Sequence, residues 1–166
     1  MRKNFGVKSW FYPQPVLIIA TYDENGNPDA MNAAWGGLYD GNKVELCLSA
    51  GHKTTKNIRA TGAFTVSFAD AANVVASDYV GLASANTEPK KMEKSGFHLT
   101  KSEFVNAPLI DELPVAMECK LIKINEDGNV IGEIVNVSAD VSVLGEDGNI
   151  DFSKFRPISF EPVHNG

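Results

Sequence analysis

Hydrophobic and polar residues alternate with a period of two over several short stretches of this chain, and each stretch stops at a turn signal. Residues 16–22, Val-Leu-Ile-Ile-Ala-Thr-Tyr, form a β-branched run bounded by Pro15 on one side and by Asn25-Gly26 and Asn27-Pro28 on the other. Residues 30–39 follow as the expected second arm of a hairpin, and Gly41-Asn42 turns the chain into an alternating strand over 43–49. A short segment ending before Gly62 reads as a helix, and residues 63–68, Ala-Phe-Thr-Val-Ser-Phe, alternate again. Residues 71–82 space their apolar positions as a helix does, although Val74-Val75 and Gly81 lower its propensity. The polar stretch 86–96 reads as a loop with one or two helical turns, and Asp127-Gly128 separates the β-branched segments 115–124 and 130–143 as a second hairpin. Five or six strands joined mostly by hairpins, with two or three short helices, predict a mainly β protein whose antiparallel sheet closes on itself. Closure removes exposed strand edges, and the chain lacks the regular strand–helix alternation of a doubly wound fold.

A length of 166 residues suits a single domain, 1–166, with a substantial core, and 43% hydrophobic with 22% charged residues is ordinary globular usage. Fifteen Lys and Arg against 21 Asp and Glu give a formal net charge of −6, which argues against nonspecific binding to nucleic acid or to anionic lipid. No run approaches the length of a transmembrane helix, and the N-terminus lacks the apolar core of a signal peptide, so a cytoplasmic location is expected. Cys47 and Cys119 lie in strand-like runs without a C-x-x-C, and both are expected to be buried, reduced thiols. The three histidines, His52, His98 and His164, show no metal-ligand spacing, and His98 between Phe97 and Leu99 reads as structural or exposed.

Two segments carry candidate chemistry. The strand over 43–49 empties through Ser49-Ala50-Gly51-His52-Lys53-Thr54-Thr55 into a helix start, where backbone amides have no intrahelical acceptor and the dipole favours negative charge. Hydroxyls of Ser49, Thr54 and Thr55, the ammonium groups of Lys53 and Lys56, and His52 make this a candidate phosphate cradle. The plain alternative is a helix capped by Thr54 or Thr55 with solvated lysines. The second segment, Asn32-Ala33-Ala34-Trp35-Gly36-Gly37, is unusually small for a strand interior. It suits either close approach of a ligand to the backbone or a sharply bent strand with Trp35 in the core. Neither G-x-x-x-x-G-K-[ST] nor G-x-G-x-x-G occurs, so triphosphate and Rossmann dinucleotide readings lose their usual warrant.

Taken in order, Asn32-Ala-Ala-Trp-Gly, Ser49-x-x-His-Lys-Thr-x-x-Asn-Ile58, Thr61-Gly-Ala-Phe-Thr-Val66, Glu112-Leu-Pro-Val115 and Cys119 resemble the flavin reductase-like family, and the likeness extends over most of the chain. The resemblance implies an antiparallel FMN-binding split β-barrel, flavoredoxin-like members included. It implies that Asn32, Ala33, Ala34 and Trp35 line the isoalloxazine edge, largely through backbone groups. Ser49, His52, Lys53, Thr54 and Asn57 would lie near the ribityl chain and phosphate, with Ser84 and Lys91 approaching from another side. His164 would correspond to a late histidine of relatives near the place where nicotinamide stacks on the flavin.

The implied activity is that of an NAD(P)H-dependent flavin oxidoreductase, passing hydride from NADH or NADPH to FMN and then electrons to an acceptor, with no side-chain general base and no metal. The alternative is a noncatalytic FMN electron-transfer protein. A third reading, from another class, is a barrel without flavin that binds another ligand or a partner. Homodimerisation, with flavin sites near the subunit interface, is also implied. The identity of the coenzyme and of the acceptor stays open at this point.

Overall fold

In the computed structural model, which describes residues 1–163, the apolar run at 16–22 becomes strand β2, Leu17–Tyr22, preceded by the two-residue β1, Gln14–Pro15. Leu17 and Ile19 of β2 enter one buried cluster while Ile18 and Ala20 enter another. Both faces of β2 are therefore covered, and this is why the run is continuously apolar instead of alternating.

Seven antiparallel strands form the main sheet, in the spatial order β3 (Pro28–Ala33), β2, β6 (Ala63–Phe68), β9 (Val115–Ile124), β10 (Val130–Ala139), β5 (Lys43–Leu46) and β4 (Gly36–Asp40). The two edge strands, β3 and β4, are consecutive in the chain and separated only by Ala34 and Trp35. A flat sheet of seven strands would hold its edges about 29 Å apart. Three residue steps from Ala33 to Gly36 reach about 11 Å at most. The sheet must curl until its edges meet. Gly36 marks the meeting point, since a Cβ there would lie 2.8 Å from Leu46 Cδ2 and 3.1 Å from Leu17 Cδ1. Leu17, Leu46, Ile58, Phe64, Val66 and Val130 fill the interior, and Gly132 on β10 leaves room for the Phe64 ring, whose Cζ would be 2.4 Å from a Cβ.

The single hairpin arm expected over 30–39 is divided. Only its first part pairs with β2, from Leu17 opposite Ala33 to Tyr22 opposite Pro28. Beyond Trp35 the chain crosses to the other edge, and Gly36 pairs with Leu46 on β5. The hairpin of β9 and β10 forms as expected around Gly128, which has φ 89°, but β10 ends at Ala139 and passes into a 3-10 turn, Val141–Val143.

Helix α1, Lys53–Thr61, ends where the sequence predicts, with Gly62 at φ 70° donating its N–H to Ile58 O. Helix α2 is shorter than expected, Val74–Leu82, because Asp70 holds Asn73 ahead of it through both the backbone amide and the side-chain amide, each at 2.9 Å. Helix α3, Lys91–Ser95, supplies the helical turn expected in 86–96. All three helices pack on β3. Two small pairs, β7 (Leu99–Lys101) with β8 (Pro108–Ile110) and β1 with β11 (Ser159–Phe160), are too short to show a period in the sequence. Among the described residues no helix is long and apolar enough to cross a membrane.

Candidate functional site

The turn leaving β5 places the basic cluster at the mouth of the barrel. His52 occupies the N-cap position of α1 with extended dihedrals and makes no side-chain cap bond. The first intrahelical donor is Lys56 N, which reaches His52 O at 3.1 Å, so the amides of Lys53, Thr54 and Thr55 have no helical acceptor. The capping alternative for the threonines does not describe this helix start. Thr55 Oγ1 donates to Ser49 O at 2.9 Å and closes the turn, while Thr54 Oγ1 turns inward to Asp29 Oδ2 at 2.7 Å.

Asp29 organises this end. It is buried on β3, and it also accepts from Lys91 Nζ at 2.9 Å, so α1, β3 and α3 are tied through one carboxylate. Asn57, one turn along α1 from Thr54, donates through Nδ2 to Thr21 Oγ1 at 3.0 Å and lies in the same buried polar layer. Lys53 stays at the surface of the cradle, with Nζ 3.2 Å from Asp23 Oδ2. Desolvation pushes the Asp23 carboxyl up, but the backbone and side-chain amides of Asn27, the amide of Asn25 and the Lys53 ammonium outweigh it and hold the group at about 2. Asp23 is therefore charged throughout the neutral range and fixes the lysine. Asn86 completes the frame: its Nδ2 donates to Gly51 O at 3.1 Å and its Oδ1 accepts from Lys56 Nζ at 3.0 Å, pinning the connection after α2 onto the turn before α1.

Two adjoining cavities run along this frame. The larger, about 500 Å³, has residues 31–35 on one wall, Cys47, Leu48 and His52 beyond them, and Val74, Ser77 and Asp78 of α2 on the other wall. The spacing 74, 77, 78 is one face of a helix. The smaller, about 190 Å³, shares Met31 and His52 with it and continues past Lys53, Thr54, Lys91 and the end of α2 as far as Ser84. Together they offer a large, mostly apolar chamber that narrows to a polar end with free amides and an ammonium group.

The residues singled out by the sequence fall into three groups. Asn32, Ala33, Ala34, Trp35, His52, Lys53, Thr54, Ser84 and Lys91 all line one or other cavity. Ser49 and Asn57 lie outside both linings: Ser49 contributes its carbonyl to the turn, and Asn57 bonds inward. His164 lies outside the described residues. Trp35 is 56% exposed at the cleft mouth, which removes the alternative of a tryptophan filling the barrel.

Cys47 corrects an expectation. It is exposed and lines the larger cavity, because Val44, Leu46 and Leu48 take the inward positions of that alternating run and leave Cys47 on the opposite face. Cys119 is buried as expected; burial and the neighbouring Glu118 charge push its thiol up to about 12. His98 is exposed and bonds Glu112 at 2.6 Å, whose carboxylate raises the imidazole pKa. Asp29, Thr21, Ser77 and Asn86 escaped the sequence reading. Asp29 alone left a trace, as an acid in an otherwise apolar alternation after Pro28.

The family model for the flavin reductase like domain matches residues 9–159. Among solved structures, flavoredoxin of Desulfovibrio vulgaris (Miyazaki F) is 36% identical with a TM-score of 0.95, covering 100% of this chain and 91% of its own. Flavoredoxin from Methanosarcina acetivorans is 25% identical with a TM-score of 0.88, covering 100% of this chain and 90% of its own. Nitrilotriacetate monooxygenase component B from Bacillus cereus, 23% identical with a TM-score of 0.78 and covering 93% and 83% of the two chains, shares the fold. The expected split barrel is the observed architecture. The chain belongs to the flavin reductase-like family.

Proposed function

We propose that this family member binds FMN in the joined cleft and works as a flavoredoxin-like electron-transfer flavoprotein. The continuity of the two cavities past His52 carries the FMN reading. The wide end has the volume and the small-residue wall that a planar ring system needs, and the narrow end terminates on three free amides and Lys53. FMN held there supplies a redox centre that accepts and returns electrons.

The residues of the chain do the positioning. The first-turn amides of α1 and Lys53 hold the phosphate, and the buried Asp29–Lys91–Thr54 cluster fixes that turn against β3 before any ligand arrives. Ala33 and Ala34 remove side-chain bulk so that backbone donors and acceptors reach the ring, and Asn32 is oriented by its bond to Ser77 O at 3.2 Å. Ser84 closes the polar end. Likeness to flavoredoxins over the full length of the chain favours the electron carrier.

A third cavity, about 300 Å³, favours the second reading, an NAD(P)H:flavin oxidoreductase. It adjoins the cleft at Ala34, Trp35 and Cys47 and would admit a second ring beside the first. His164 and a second subunit belong to that reading as well.

Anaerobic reduction of the FMN-loaded protein separates the two. The carrier bleaches with a reduced protein donor and stays oxidised with NADH and with NADPH. Rapid bleaching by either coenzyme would establish the reductase instead, and a protein that takes up no FMN would end both readings.

A further inference from the structure

Asn86 sits in the tight turn that follows α2, where Ser84 O accepts from the amides of Thr87 and Glu88 at 3.0 and 2.8 Å. Ser84 Oγ accepts from Asn86 N and from Asn86 Nδ2, each at 3.3 Å, so the side chain is held on its own turn. From there it reaches across to the start of α1. Its Nδ2 also donates to Gly51 O at 3.1 Å, and its Oδ1 accepts from Lys56 Nζ at 3.0 Å.

This bridge ties together the two rims of the smaller cavity. One rim is His52, Lys53 and Thr54, and the other is the run 80–85. Gly51 and Asn86 are the chain neighbours of His52 and Ala85, so the rims are joined one residue beyond the lining. The charges of this end are also committed. Lys53 Nζ lies 3.2 Å from Asp23 Oδ2 and Lys91 Nζ 2.9 Å from Asp29 Oδ1, whereas Lys56 is held by the neutral amide of Asn86. The Asp23 carboxylate beside Lys53 is ionised at neutral pH.

The amides of Lys53, Thr54 and Thr55, which have no helical acceptor, match in number the three terminal oxygens of a phosphate monoester. A phosphate inside a diphosphate keeps only two terminal oxygens, and its next bond leads to a second charged phosphate. Beyond the cradle that extension meets the Asn86 bridge between the rims and the Asp23 charge beside Lys53. On the FMN reading above, we infer that the polar end of the cleft admits a flavin ending in a phosphate monoester and rejects one extended through a diphosphate, with Asn86 setting the limit. Asn86 is a positioning residue in this role: it holds the rims together and keeps Lys56 from a second phosphate.

Calorimetric titrations of wild type and Asn86→Ala with FMN and with FAD, beside melting of both apoproteins, test the inference. Wild type should bind FAD about 100-fold more weakly than FMN, the scale of two hydrogen-bonded contacts. Asn86→Ala should narrow that ratio to about tenfold, because the rims are no longer tied and Lys56 is released. Its FMN affinity should stay within about threefold of wild type, since Lys53 and the three amides are unaltered. Its melting temperature should move little, because Asn86 is exposed. Wild-type affinity for FAD equal to or above that for FMN would overturn the inference while leaving the flavin site standing. An unchanged ratio in Asn86→Ala, with both affinities lowered together or both intact, would remove Asn86 from the selection. Failure of the wild-type protein to bind either flavin would remove both the inference and the reading beneath it.

Discussion

At the α1 end of the cleft, buried polar side chains answer one another: Asp29 with Lys91 and Thr54, Asn57 with Thr21. At the α2 end the wall is mostly small or apolar, with Ala33, Ala34 and Val74 beside Trp35, and one side-chain bond, Asn32 Nδ2 to Ser77 O at 3.2 Å, ties it to the helix. The first arrangement satisfies itself and makes a rigid frame, so that three helix-start amides stand ready before a ligand arrives. The second has few polar contacts of its own and leaves an open, mostly apolar space. Preorganisation and recognition are thus divided between the two ends, and substitutions at each should separate stability from binding.

The largest effect belongs to the frame. Lys91→Met leaves the Asp29 carboxylate buried with only Thr54 to answer it, and should cost about 3–5 kcal/mol in urea unfolding. Adding Asp29→Asn removes the stranded charge and should recover a good part of that loss. A single-variant loss below about 1 kcal/mol, the range of a solvated surface pair, would show that the two ends are not built differently.

Gly81→Ala probes the junction. The new methyl group must displace the Asn32 side chain, which breaks the bond to Ser77 O, while the helix gains intrinsic propensity. The two terms are each about 1 kcal/mol, so stability should change little. FMN affinity should nevertheless fall, about tenfold if one oriented hydrogen-bonding group is lost from the ring end. Equal affinity in variant and wild type would remove Asn32 from the recognition wall.

The smallest perturbation is chemical. Cys47 is exposed on the larger cavity, whereas Cys119 is buried with its thiol pushed up to about 12. Iodoacetamide should modify Cys47 alone, and FMN should slow that reaction without altering the silence of Cys119. Alkylation at the same rate with and without FMN would place the ring elsewhere.

The barrel was legible because strand periodicity, Asn-Gly and Asp-Gly turns and the Gly62 helix stop are local signals. The crossing between β3 and β4 was not, since Ala34-Trp35 looks like the middle of one strand until closure brings Leu17 and Leu46 together over Gly36. The same division applies to the site. The cradle 49–58 stands in consecutive residues and could be read, together with the small segment 32–37. Asp29 with Lys91, Asn32 with Ser77 and Asn86 with Gly51 are pairings across 62, 45 and 35 positions, and no local pattern announces them. Cys47 faces outward because the alternation of its own strand, with Val44, Leu46 and Leu48 inward, outweighs the general tendency of cysteine to be buried.

The central claim is that one cleft holds a flavin by its phosphate at the start of α1. Parallel fluorescence titrations with FMN and riboflavin, on wild type and Lys53→Ala, test it most directly. The wild-type protein should quench FMN at concentrations about 100-fold below those needed for riboflavin, the difference made by charge-assisted bonds to phosphate. Lys53→Ala should weaken FMN and leave riboflavin nearly unchanged. Equal affinity of the wild-type protein for the two flavins, or equal losses for both in the variant, would contradict the phosphate assignment and the account of the cleft built on it.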